Sequence, residues 1–483
     1  MPVEPDNHHL RGGQFDAAYP ALSALRHGDA KLIGECEHAV RLMSEFRDQV
    51  AAPGALGWDA RLFDTPASDI SELLAQACRR GLLSLAIPHG LGGAGLGMLA
   101  LSLGLEHLAA GCLGTANLLA VHGLALAIVG ATGNMAQLQR LARRIVEGER
   151  CGTPYLVATA GTEAAVGSDL EDSELLRHAR FDSHVEPERG GFRVYARKVF
   201  VSNGSLASCF VVLAPLDREH PRETLFAFLV DSETPGVVVS RVEHKLGQRI
   251  CPTAEVLFDG CRIPESHRLD TRPLTGRTLD LVLGASRSVV GAFGAGVAVG
   301  AVKETARDAT RQLVDGRPLL DCQWAQDLLA RMWENAQLAR ASYVQALLAN
   351  SRFGLLSLME DARIRLVDRW VPTPLMALKP ARRLLESSFV NHEASRLVQR
   401  LPSSSIAVAS AHGSSSKVST SRLAQENCEL ARQVLGGFAL RESSGHAKRL
   451  RDARLLSIYE GTNEINDIDV FAKIWTSPGV EPW

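Results

Sequence analysis

Near its end the chain reads SIYEGTNEIN. This places a glutamate, Glu460, between a tyrosine and a Gly-Thr turn, with isoleucines on either side. A carboxylate there has two ordinary fates. It can be a helix cap or surface acid, or it can be a base in a mostly apolar pocket, where burial raises its pKa and suits it to proton abstraction. Other patterns that could carry chemistry are out of place. GLGGAG at 90–95 fits GxGxxG, but a dinucleotide fingerprint needs a strand before it, and helical patterns flank it on both sides. GAGVAVG at 294–300 sits inside a long helical pattern and reads as close helix packing. GxxxxGK[ST], HExxH and GxSxG do not occur, which sets aside a P-loop nucleotidase, a zincin and a standard hydrolase elbow. The nine cysteines are scattered without a CxxC, so free buried thiols are expected rather than disulfides or zinc. His8 and His9 fall in a polar leading segment and are read as tail rather than metal ligands.

The elements that must hold Glu460 belong to a chain of 483 residues, 46% hydrophobic and 22% charged, long enough for a large core of its own. A net charge of −2 argues against a general nucleic-acid binder. No apolar run is read as reaching the roughly 18 residues of a membrane span. The leading segment lacks the apolar stretch of a signal peptide, so a cytoplasmic location is expected.

The pattern changes twice, giving an α+β chain. Residues 1–30 are expected to be a disordered tail, and 31–150 an all-α domain with apolar residues at three- and four-residue spacing. Residues 151–272 form a β-barrel or sandwich of short Val- and Phe-rich strands separated by Gly, Pro, Asp and Asn. Residues 273–483 form an antiparallel four-helix bundle. It is interrupted at about 351–420 by a proline-broken, basic insertion ending in a flexible serine-rich loop, SSSIAVASAHGSSSKVSTS.

This order resembles the acyl-CoA dehydrogenase family of flavoenzymes over roughly residues 35–475 outside the insertion. The resemblance rests on GLLSLAIPHGLGGAGLG, GTEAAVGSD, ARKVFVSNG, TPGVVVSRVEHKLGQR, VLFDGCRIPESHRL and the C-terminal ARQVLGG…RLRDARLLSIYEGTNEI, in order and at matching spacing. It implies FAD and α,β-dehydrogenation of an acyl thioester on CoA or a carrier protein, with hydride passing to flavin N5. It also implies an electron-transferring flavoprotein as acceptor and a homodimer or homotetramer. A flavin monooxygenase on the same fold and a relative that has lost FAD are the alternative readings. The matching positions make Glu460 the base, with Ser168, Arg287, Tyr459 and Gly461 at the substrate. Ser286 stands where some members carry their base and is no base itself. For FAD the resemblance points to Thr162, Ser168, Phe200 and Ser202 around the isoalloxazine, and to Thr462 and Glu464 after the base. It points to Gln433, Gly436 and Gly437 across a subunit boundary, to Gln312 or its neighbour Arg311 at the cofactor pyrophosphate of a neighbouring subunit, and to Gln323 as a further cofactor residue. The chain also departs from the family pattern. Phe200 replaces a tryptophan, and TEAAVGSD lacks the usual Pro-Gly. Gln312 and Asp315 replace an arginine and a phenylalanine, with Arg311 the nearest substitute. Asp467 replaces an arginine, and GGFAL lacks a glycine in its second turn.

Overall fold

The computed structural model describes residues 12–480, apart from 27, 172, 271, 275, 361–379, 381–382 and 385–386. The first layer is helical: α1 (Gly12–Ala18), α2 (Pro20–Ser23), α3 (Ala30–Phe46), α4 (Ala52–Asp64), α5 (Ser71–Arg79), α6 (Met98–Gly111), α7 (Leu113–Ala131) and α8 (Met135–Cys151). Asp29 caps α3 and Asn134 caps α8, each accepting from a backbone N–H three residues on. GLGGAG falls between α5 and α6 with no strand before it. The expectation of a disordered tail fails from residue 12 onward. Phe15, Tyr19 and Leu22 are buried, and the Tyr19 hydroxyl donates to Glu106 at 3.0 Å. Two helices of seven and four residues are too short for their periodicity to register in the sequence.

The middle unit is a sandwich. One sheet orders as β1 (Val157–Ala160), β4 (Cys209–Pro215), β5 (Leu225–Asp231). The other orders as β2 (His184–Glu188), β3 (Gly191–Ser202), β7 (Thr253–Pro264), β6 (Val237–Val242). Alternate residues of both sheets meet between them, with Phe192 against Phe228 and Phe210 against Phe258 at centroid distances of 5.5 and 5.4 Å. The short helices α9 (Ser173–Leu176) and α10 (Pro221–Thr224) lie in its loops.

The last unit is built on α11 (Gly276–Ala309), α12 (Gln323–Phe353), α13 (Ser388–Arg400), α14 (Ser403–Leu435), α15 (His446–Leu455) and α16 (Asn463–Phe471). Side-chain pairs fix their directions. Asn350 meets Gly284 while Asn427 meets both Ala298 and Met332, so α12 runs against α11 and α14. His446 meets Asp308 and Arg449 meets Glu304, so α15 runs back along α11.

The serine-rich stretch is not a loop. Residues 403–435 are one continuous helix, and Ser410, Ser414, Ser416, Thr420 and Ser421 are buried in the bundle. Their smallness explains both the error and the fold. Low complexity reads as disorder, whereas small side chains let two helix backbones approach. On α11, a Cβ at Gly291 would lie 2.3 Å from the Ser416 hydroxyl, and one at Gly296 would lie 2.3 Å from the Glu106 carbonyl. Lys417, counted with the basic insertion, is fully buried. The rest of that basic stretch, 361–379, lies outside the described residues, as do His8 and His9.

Contrary to the sequence reading, α7 and α11 are long and apolar enough to cross a membrane by length and composition. In the fold both are core helices, with 61% and 83% of their most apolar windows buried. Among the described residues no His/Cys/Asp/Glu group could hold a metal ion.

Candidate active site

Glu460 lies in the turn between α15 and α16. Thr462 ends the turn as the N-cap of α16, accepting from the Ile465 N–H at 3.3 Å. Glu460 and Gly461 both adopt left-handed backbone, with φ of 55° and 80°. Gly461 does so freely, but a glutamate there stores roughly 1–3 kcal/mol of strain unless its surroundings hold it.

They do hold it. The Glu460 carbonyl accepts from Arg287 Nε at 3.2 Å and Asn466 Nδ2 at 3.1 Å. The Gly461 carbonyl accepts from Lys417 Nζ and from Asn466 Nδ2. Arg287 is anchored in turn by Ser414 at 2.8 Å and Asp469 at 3.3 Å. The Glu460 carboxylate itself meets Ser286, whose hydroxyl donates to Oε2 at 2.6 Å. Burial pushes the Glu460 pKa above the ordinary carboxylate value, while the Ser286 hydrogen bond and the Arg287 and Lys417 charges pull it part of the way back. The result is a half-buried carboxylate of raised proton affinity, with Oε1 meeting no partner among the described residues.

Tyr459 joins this turn to the sandwich. Its hydroxyl accepts from Gln248 Nε2 at 3.4 Å. Gln248 is fully buried and also meets Asn117 of α7 and Asp452 of α15, so one residue ties the three units together. Cys251 connects the same loop to Asn203, beside Ser202 at the end of β3.

Thr162 and Phe200 are neighbours on the sandwich, because the Val199 N–H donates to the Thr162 carbonyl at 2.9 Å. The loop carrying Thr162 is pinned by Glu163, which is buried and accepts from Lys198 Nζ at 2.6 Å and from the Asp182 N–H at 2.7 Å. Phe200 sits where the β3–β7 register slips, at φ 55°, with its ring 63% exposed. A bulky ring held in strained backbone and presented to solvent suits stacking against a flat partner. Ser202 follows it on β3, and Ser168 opens a short turn on the loop leading away from Thr162.

The remaining expected cofactor residues are elsewhere. Arg311, Gln323, Gln433, Gly436 and Gly437 are exposed around the small cluster of Ala309, Leu319, Ala325, Val434 and Leu435. Arg287 and Ala309 lie 22 residues apart on α11, about 33 Å at about 1.5 Å per residue. Gln312 stands beside this cluster, and its side-chain nitrogen is buried without a partner. Glu464 is on the first turn of α16, its carboxyl held below the usual range by backbone and Thr462 hydrogen bonds. Two departures have structural reasons. Asp315 and Gly316 are the left-handed pair, at φ 51° and 77°, of a hairpin between β8 (Leu313–Val314) and β9 (Arg317–Pro318). Asp467 pairs with Arg422 of α14 at 2.6 Å.

Lys417, Ser414, Asn466, Asp469 and Gln248 were missed from sequence. A signal existed for the α14 pair: Ser410, Ser414, Lys417 and Ser421 recur at helical spacing, the mark of one buried stripe.

Comparison with known proteins was made against this geometry. The acyl-CoA dehydrogenase N-terminal, middle and C-terminal domain families match residues 35–149, 158–261, and 278–355 with 374–474. Benzylmalonyl-CoA dehydrogenase of Aromatoleum aromaticum is 32% identical over 292 residues, 60% of this chain and 72% of that protein. Cyclohex-1-ene-1-carbonyl-CoA dehydrogenase of Geobacter metallireducens is 28% identical over 415 residues, 86% of this chain and 91% of that protein. Glutaryl-CoA dehydrogenase of Mycobacterium smegmatis, solved with FADH2, superposes with a TM-score of 0.68 at 18% identity, covering 92% of this chain and 96% of that one.

Proposed function

This chain belongs to the acyl-CoA dehydrogenase family of CH–CH oxidoreductases, and from that premise we propose that it desaturates an acyl-CoA thioester with Glu460 as the base. The observation that carries the reading is the Glu460 carboxylate, held in left-handed backbone with Oε2 tied to Ser286 and Oε1 left to receive a proton. The α-proton of a thioester is weakly acidic, and a carboxylate of raised proton affinity is matched to taking it. FAD is the cofactor the family implies, and when bound it supplies the hydride acceptor for the β-hydrogen.

The residues present fit that cofactor. Phe200 offers an exposed ring of the right shape, with Thr162 and Ser202 beside it on the sandwich and Ser168 on the loop that follows Thr162. A second copy of the chain contributes Arg311, Gln312, Gln323, Gln433, Gly436 and Gly437 to the same cofactor, which suits the exposure of all but Gln312 far from Glu460 and the buried, unpartnered side-chain nitrogen of Gln312 beside them. Arg287 and Tyr459 order the base turn, and Gly461 keeps it tight. Electrons then leave to an electron-transferring flavoprotein.

The test is anaerobic mixing of the purified yellow protein with linear and cyclic acyl-CoA thioesters. The wild type is expected to bleach with at least one of them, and Glu460→Gln to keep its flavin and stay yellow. Undiminished bleaching in Glu460→Gln would assign the base elsewhere. Flavin that reduces only with an external reductase and then consumes oxygen would replace dehydrogenation with oxygen activation.

A further inference from the structure

The turn that carries Glu460 is held from one side. Its carbonyl groups at residues 460–462 point inward and meet Asn466 Nδ2 at 3.1, 3.1 and 2.9 Å. Because a trans peptide sets C=O and N–H in opposite directions, the N–H groups of Gly461 and Thr462 point away from this floor. Among the described residues neither meets an acceptor. Whatever fixes the turn must therefore lie beneath it.

Beneath it lies Lys417, on the middle turns of α14. It is fully buried, and its ammonium meets the Gly461 carbonyl and Asn463 Oδ1, the latter at 3.0 Å. Asn463 is itself held by Ser421, four residues along α14 from Lys417. An ammonium removed from water is costly, and a lysine packed among serines and alanines for bulk alone would be replaced by an apolar side chain at no loss. This one meets the carbonyl of Gly461, the residue after Glu460 and, like it, at left-handed φ.

We propose that Lys417 is a positioning residue for the base, its ammonium holding the Gly461 carbonyl and the Asn463 side chain beneath the Glu460–Thr462 turn and placing a fixed positive charge under the carboxylate. This rests on the reading of Glu460 as the base. The charged and titratable groups around that carboxylate are Arg287 with the Ser286 hydroxyl on α11, Lys417 on α14, Glu464 and Asp469 on α16, and Tyr459 in the turn itself. Asp469 is engaged by Arg287 at 3.3 Å, while the Lys417 ammonium meets the Gly461 carbonyl directly beneath the turn. Lys417 favours the ionised form of Glu460, the form a base needs.

The test compares Lys417→Met, Lys417→Arg and Asn463→Asp with the wild type as holoenzymes. Anaerobic flavin reduction by an acyl-CoA thioester is followed against pH. The Glu460 carboxyl is titrated separately by isotope-edited infrared spectroscopy, which needs no turnover. Removing the charge in Lys417→Met is expected to move the acid limb of reduction, and the infrared titration with it, up by about one pH unit. Lys417→Arg is expected to restore most of the shift. Asn463→Asp screens the ammonium without removing it, so it is expected to shift both in the same direction by less, and it keeps the test alive should Lys417→Met fail to fold. A slower enzyme with the acid limb and the infrared titration both unmoved would reduce Lys417 to packing and overturn the proposal. If no acyl thioester reduces the wild type, the reading of the function fails, while the infrared titration still decides the role of Lys417.

Discussion

The two ends of the helical bundle are built on opposite plans. At the base end, side chains from α11, α14 and α16 converge on one turn, and nearly every group that holds it is buried: Arg287 at 2% exposure, Lys417 and Asn466 at 0%. At the far end, Arg311, Gln323, Gln433 and the Gly436–Gly437 pair are exposed around one small apolar cluster. The groups that hold the base turn all come from this one chain. The far end presents exposed polar groups and a glycine pair, where we propose that a second copy completes the cofactor site. A function divided this way predicts that damage at the base end will change chemistry, and damage at the far end will change retention of the cofactor.

The largest effect should follow from Arg287→Met. The side chain holds the Glu460 carbonyl and pairs with Asp469, so its loss frees the strained turn and leaves a carboxylate without its partner. Breaking a buried pair costs about 3–5 kcal/mol, and urea denaturation is expected to show a loss of that order. Single-turnover reduction is expected to fall about a hundredfold or more, on the scale of removing a preorganised electrostatic group. Arg287→Lys is expected to recover only part, because an ammonium cannot span the carbonyl, Ser414 and Asp469 together.

At the far end the expected effect is smaller and of another kind. Gln433→Ala removes an exposed polar group and is expected to weaken FAD retention about tenfold, the scale of one hydrogen bond. If a second copy completes the site, that retention falls as the protein is diluted, which gel filtration monitored at the flavin band can follow. Retention independent of concentration would erase the contrast between the two ends.

How much of this was legible differs between the ends as well. The order of helical, β and helical units was readable, because hydrophobic period changes from 3.6 to 2 and back over long stretches. The base turn was legible only through its match to the family's C-terminal pattern, because a glutamate before Gly-Thr taken alone has two ordinary fates. What held it was not readable. The groups beneath the turn sit on α14, whose Ser, Ala and Gly content mimics a disordered linker, and small residues are chosen there for close helix approach. Propensity and pattern cannot distinguish these two uses of serine. Likewise α1 and α2 escaped notice because their anchors are long-range contacts, Tyr19 with Glu106 and His107 and Ala18 with Arg340, rather than a periodic face.

The finest test of the contrast is Ser286→Ala. Ser286 is no base, yet its hydroxyl donates to Glu460 Oε2 at 2.6 Å. A hydrogen bond to a carboxylate favours the charged form, and here it opposes the rise caused by burial. Removing it leaves burial less opposed, so the Glu460 pKa rises further. The base must be ionised to accept the α-proton. The acid limb of reduction therefore moves to higher pH, by roughly one to two units for a hydrogen bond to a charged group worth about 1.5–3 kcal/mol. Above that limb the carboxylate is ionised in both proteins, so the rates approach each other and only a few-fold loss from looser positioning remains. Stopped-flow reduction across the pH range separates these effects. A uniform loss at every pH would mean that the hydroxyl orients the carboxylate without setting its proton affinity, and the base end would then owe its poise to Arg287 and Lys417 alone.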